Sequence, residues 1–260
     1  MRIFYFIKSI LNRLKKDSKK IDIKKLPSQG FFYDESFEIT ISKANLETIQ
    51  EYESDYDPED LGTILYKIKK VVAENSTFSK GHSFGHIKSI DVIFIFLEIV
   101  TLTKGDYIKM EYYNDEAGKN ESIAFNDSNF NYFKLDEDLV EMWDKAERCF
   151  RMNGYKYTLP SIGIENSLTN FLISKSGESD ALKYNSYNYS FTYFLGNKEF
   201  VTFDEIDNLI EIFNFDLDSD EMKKIDSIVE RFLPMQRYSL MKNGRTIEMS
   251  SKINLQKIWR

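Results

Sequence analysis

With 260 residues, 42% of them hydrophobic, and with 21 Phe and 16 Tyr, the chain has enough apolar surface for one large packed domain or two modest ones, which excludes a disordered chain. Its 42 acidic against 35 basic residues leave a formal charge of −7, so no general basic surface exists to release counterions from phosphates and no nucleic-acid partner is expected. The single cysteine, Cys149, excludes an internal disulfide and a cysteine-based zinc cluster and suits a reducing compartment.

Residues 1–24 read as a basic amphipathic arm. Lys8 and Arg13 interrupt its apolar run, well short of the ~20 apolar residues that span a bilayer. Its charges follow the apolar block, the reverse of a signal peptide. Ile3, Phe6, Ile7, Ile10, Leu11 and Leu14 share one helical face, and Phe4, Phe6 and Ile7 are candidate partner-binding residues. Docking on a protein surface is expected; peripheral membrane binding through residues 1–20 is an alternative.

The stretch LPSQGFFYDE (26–35) follows. Pro27 biases Leu26 toward extended backbone, Gly30 permits a turn, and Phe31–Tyr33 can anchor the chain at a domain entrance. SFEITIS (36–42) alternates as a half-buried strand does. A helix is expected in SKANLETIQEYE, capped by Ser42 with Leu46, Ile49 and Tyr52 on one side. A second is expected in DYDPEDLGTILYKIKKVVAEN, where Asp57 would cap, Pro58 would sit in the first turn, and Leu61, Ile64, Leu65, Ile68 and Val72 form the apolar stripe.

Residues 75–88 read as a loop, and 90–102 as a buried core element too short and too charged to span a membrane. GDYIKMEYYNDEAGKNESIAFN gives two strands around the turn NDEAGKN. LDEDLVEMWDKAERCFRM reads as a helix with an acidic first turn, with Cys149 a small buried hydrophobe near its end. The Gly and Pro punctuation of NGYKYTLPSIGIEN marks a boundary. Four helical segments then lead to a hairpin at Asn243-Gly244. The expected class is α+β. A mixed domain over 25–153, with short antiparallel strands and helices, precedes a mainly helical region over 154–260 that ends in the β-hairpin.

His82 and His86 are the only histidines, four apart in GHSFGH. On a helix they would share a face and could ligate a metal, but Gly81 and Gly85 oppose a helix and Ser83 stands where the metalloprotease motif has Glu. A structural loop is expected, and a metal-dependent enzyme using both is an alternative. Asp216, Asp218 and Asp220 suggest a calcium loop, yet Glu221 occupies the glycine position and Ser227 that of the bidentate Glu. A cap at Asp218 or Ser219 explains them better, and Asp136, Glu137 and Asp138 likewise suit a helix start. With no phosphate loop, dinucleotide fingerprint or nucleophile elbow, the chain reads as no enzyme, without catalytic residue, metal or cofactor. The run YNSYNYSFTYF (184–194) makes Tyr184, Tyr187 and Tyr189 candidate partner-binding residues, although its helical spacing suits a core equally.

LPSQGFFYDE also resembles the LPS-x-G-x-x-Y entry motif of T-even-type bacteriophage baseplate proteins, a family that includes the baseplate hub subunit and the hub assembly catalyst, a chaperone. Leu26, Pro27, Ser28, Gly30 and Tyr33 match the motif, and Asp91 and Gly105 fall where family-like residues are expected. The resemblance covers roughly residues 25–113. It departs at Leu102 and Lys104, where relatives carry an Arg, and in MEYYNDEAGKN, where some carry paired cysteines. What it implies is a non-enzymatic late phage protein, either a structural hub subunit or an assembly chaperone. Such a protein binds other baseplate and tail proteins, with self-association. It works in the host cytoplasm during assembly and, as a subunit, stays in the virion tail baseplate.

Overall fold

The computed structural model describes residues 17–54, 60–105, 107–152, 155–175, 200–215, 239–248 and 258–259, with isolated positions between 219 and 230. Alternation in FEITIS forms β2 (Ile39–Ser42), with Ile39 and Ile41 buried, between β1 (Ser18–Lys20) and β3 (Ser76–Phe78) in an antiparallel sheet. β3 and a 3-10 turn at Phe84–His86 thus lie inside the segment expected as a loop. Ser42 does not cap the next helix: its N–H donates to Asn75 O at 2.9 Å, which keeps it in the sheet. Asn45, in extended backbone, caps α1 (Leu46–Glu53) by accepting from Thr48 N at 2.9 Å.

Asp60 caps α2 (Leu61–Glu74) in the same way, and the expected cap Asp57 and first-turn Pro58 lie outside the described residues. Of the expected stripe, Ile64, Ile68 and Val72 are buried and Leu65 partly so, and Val71 joins them. The apolar run at 90–102 becomes α3 (Val92–Lys104), a 13-residue helix buried on most sides and ended by Gly105 at φ 72°. Among the described residues no helix is long and apolar enough to cross a membrane.

The expected hairpin is β4 (Lys109–Asn114) with β5 (Lys119–Ala124), in the register Lys109↔Ala124 to Asn114↔Lys119. The long helix expected around Cys149 does not form. Only α4 (Glu137–Val140) is helical, and a meander follows: β6 (Trp143–Asp144), β7 (Cys149–Met152) and β8 (Tyr155–Tyr157). The reason is local. Asp144 Oδ1 accepts from Ala146 N at 2.9 Å and Glu147 N at 3.0 Å, and Arg148 takes φ 55°, so the chain turns back and pairs Phe150 with Trp143. Cys149 is buried as expected, but on a strand.

α5 (Ile162–Lys175) and α6 (Phe203–Phe215) pack together, with the Phe171 and Phe203 rings 5.4 Å apart. β9 (Ser239–Lys242) and β10 (Arg245–Glu248) make the expected terminal hairpin, with Asn243 and Gly244 at φ 53° and 75° as a tight two-residue turn requires. The helical segment expected in SDALKYNSYNYSFTYFLG (179–196), with Tyr184, Tyr187 and Tyr189, lies outside the described residues, as do Phe4, Phe6 and Ile7 of the arm and the calcium-like Asp216 and Asp218. The described chain therefore combines helices with short antiparallel strands, an α+β composition.

Two apolar cores result. The first surrounds α3 and takes in β2, α2, the β4–β5 hairpin and, from the C-terminal hairpin, Leu240 and Ile247. The second gathers Phe133, Phe150, Tyr157, Leu168, Phe171 and Ile206 among others, and so draws on both sides of residue 153.

Candidate functional site

LPSQGFFY lies between these cores. Gln29 and Gly30 adopt successive left-handed conformations at φ 51° and 73°, and Gly30 N donates to Ser28 Oγ at 3.3 Å. A Cβ on Gly30 would also sit 3.3 Å from Ile23 Cγ1, so the positive φ favours glycine and a larger residue would in addition press on Ile23. The tight turn sends neighbouring side chains opposite ways. Leu26 and Tyr33 enter the first core, while Phe32, with Phe31 packed beside it, enters the second. Phe32 meets Phe133 and Trp143 edge-on at 5.1 and 5.4 Å, and Tyr33 stacks on Phe37 at 4.2 Å.

At the junction sits a polar cluster in which Ser28, Lys88 and Asp91 are each 0% exposed. Ser28 N donates to Asp91 Oδ1 at 2.8 Å and Tyr33 Oη donates to Asp91 Oδ2 at 2.7 Å. Lys88 N donates to Tyr33 Oη at 2.9 Å, and its Nζ donates to Leu159 O at 3.0 Å and Thr158 Oγ1 at 3.2 Å. Backbone bonds extend the junction: Ser89 N to Pro160 O at 3.0 Å, Ile162 N to Ile87 O at 2.9 Å, and Phe133 N to Pro27 O at 2.8 Å. Segment 87–91 is thus held between the motif on one side and residues 158–162 on the other.

Burial dominates the electrostatics. It pushes the Asp91 carboxyl up to about 6, against the bonds from Tyr33 and Ser28 and the charge of Lys88. It pushes the Lys88 amine down to about 7, with Asp91 opposing. The Tyr33 phenol rises well above its ordinary value through burial and then the neighbouring Asp91 charge. Enclosed groups in mutual hydrogen bonds can fix backbone segments; they present no nucleophile to a substrate.

The histidines stand apart from this cluster. His82 Nε2 lies 3.1 Å from Ser36 Oγ and 3.3 Å from Asp34 Oδ2, while the Ser36 hydroxyl donates to Asp34 Oδ1 at 2.6 Å. Both oxygens meet the same ring nitrogen, and His82 Nδ1 is buried without a hydrogen-bond partner, so no Ser–His–Asp relay exists here. His86 is in the 3-10 turn, its Nδ1 accepting from Ser83 N at 3.2 Å, and the two imidazoles meet edge-on at 5.4 Å. Among the described residues no group of three or more His, Cys, Asp or Glu is arranged to hold a metal ion. Burial raises the Cys149 thiol, with Glu147 and Asp144 adding to it.

A second polar cluster joins the two hairpins. Glu121 accepts from Tyr112 Oη at 2.7 Å, Lys242 Nζ at 2.9 Å and Asn114 Nδ2 at 3.1 Å, and these bonds, that from Lys242 foremost, hold its carboxyl down to about 2. Lys242 Nζ also sits 4.9 Å above the Tyr112 ring. Beside it, β5, residues 126–136 and Met241–Gly244 line an open cleft of about 870 Å³ whose walls mix polar and apolar side chains.

Of the sequence-assigned residues, the structure brings Leu26, Pro27, Ser28, Gly30 and Tyr33 together with Asp91 and leaves His82 and His86 outside. Lys88 and Thr158 were not anticipated. The signal for Lys88 lies in GHIKSIDVIF, where a lysine stands between Ile87 and Ile90 at the mouth of an apolar run. No family model, no curated protein and no solved structure matches the chain.

Proposed function

We propose that this is a non-enzymatic phage tail protein acting in baseplate hub assembly, as an assembly chaperone or a structural hub subunit, through binding other tail proteins. The resemblance of residues 26–35 to the baseplate entry motif suggests it, and one observation supports it. Ser28, Tyr33 and Asp91, all singled out by that resemblance, form direct hydrogen bonds across 63 and 58 residues of sequence. A motif whose members bond to the same buried acid behaves as one structural unit. The unit faces inward, so its role is to hold the shape of the molecule while partners meet other surfaces. Its enclosed acid and amine fit a scaffold better than a catalyst.

Deleting the gene from its phage tests this reading. Tail assembly should stop before the hub is complete, and the flanking genes should encode tail proteins. Mass spectrometry of finished particles then separates the two roles, because a chaperone is absent from them and a hub subunit is present. Intact tails after deletion, together with metabolic genes on both sides, would overturn the proposal.

A further inference from the structure

A strand at the edge of a sheet carries unpaired N–H and C=O groups that can template another chain. In the β4–β5 ladder, Phe125 N donates to Ile108 O at 3.0 Å, so Ile108, Met110 and Tyr112 turn their backbone groups toward β5. Lys109, Glu111 and Tyr113 turn theirs away. The opposite rim, that of β5, is engaged by side chains: Lys242 Nζ donates to Ser122 O at 2.9 Å and Asn126 Nδ2 to Ala124 O at 3.4 Å. Among the described residues the β4 rim has no such cover: no strand pairs with it, and neither Lys109 nor Glu111 makes an ion pair. The side chains of Lys109, Glu111 and Tyr113 are all exposed.

We infer that this rim is an interface between two copies of the chain, joined antiparallel about Met110 into a four-stranded sheet. With Met110 on the two-fold axis, Lys109 lies directly opposite Glu111 of the second copy, twice by symmetry. The exposed Tyr107 then faces Tyr113 of the second copy. Moving the axis one residue either way sets Lys109 against Lys109 or Glu111 against Glu111. Edge charges ordinarily repel a second strand; here their alternation repels the shifted registers and makes the Met110-centred one attractive. A two-stranded ribbon also gains from the extension, because three or more strands make a sheet markedly more stable than a lone hairpin. The inference is independent of the phage reading, and failure of one leaves the other standing.

Sedimentation of the full-length protein across the micromolar range is the test. A concentration-dependent dimer is expected, weakened by added salt because the pairs are exposed. Glu111→Lys turns both attractive pairs repulsive and should raise the dissociation constant about tenfold or more. The double variant Lys109→Glu/Glu111→Lys exchanges the charges and should restore the dimer. Three results would overturn the inference: a monomer throughout the range, a dimer that Glu111→Lys leaves unchanged, or a double variant no tighter than the single one.

Discussion

Lys88 and Asp91 show what burial does to a charged side chain. Both are fully enclosed, and the fold moves their proton affinities in opposite directions, Asp91 up from 3.8 to about 6 and Lys88 down from 10.5 to about 7. The signs set a pH dependence. A carboxyl raised in the folded state contributes stability that is whole below its ordinary value and is lost as pH rises toward about 6. An amine lowered in the folded state contributes stability that is whole above its ordinary value and is lost as pH falls toward about 7. The pair is therefore least stabilising between those two points, where both are charged and buried. Urea unfolding of the wild type and of a Lys88→Met/Asp91→Asn variant, repeated across pH, checks this. The wild-type curve minus the variant curve should dip near neutrality and rise on either side, and a flat difference would contradict the assignment.

Elements are held by turn chemistry and by a few long-range bonds. Gly30 and Gly105 both have positive φ, but a Cβ at Gly30 would crowd Ile23 and one at Gly105 would meet nothing within 4 Å. Gly105→Ala should cost about 1 kcal/mol from backbone strain alone, and Gly30→Ala more, on the order of 2 kcal/mol, as denaturant midpoints can measure. The hairpin junction titrates with the opposite sign to Asp91. Glu121, held from 4.5 down to about 2, contributes stability that is whole above its ordinary value and is lost as pH falls through about 2. Lys242→Met should move the Glu121 titration back toward the ordinary range, followed by carboxyl carbon NMR, and hasten amide exchange in β9. The meander β6–β8 escaped the sequence reading because its apolar residues fit a helical period nearly as well. Asp144 and the left-handed Arg148 decide against the helix, and neither residue type announces that role.

Across the whole molecule, LPSQGFFY acts as a staple. One turn inserts Tyr33 into the first core and Phe32 into the second, while Asp91 and Lys88 pin the strap from behind. Phe32→Ala should therefore cost about 3–5 kcal/mol and lower the melting of both cores together, in one calorimetric transition. Two separated transitions, only one of them shifted, would show that the cores fold independently. Much of this architecture is legible in local pattern. The alternation of β2, the stripe of α2, the apolar run of α3 and the Asn-Gly turn of the last hairpin each follow from side-chain period and backbone preference within a few residues. The sequence also marks LPSQGFFY as a turn with anchors, and Asp91 as an acid out of place in an apolar run. Only the tertiary structure decided that they belong together. Ser28 reaches Asp91 across 63 residues and Lys88 reaches Leu159 across 71, contacts that no local period encodes. Their partners are chosen by which buried polar groups must satisfy one another once the apolar surfaces have closed.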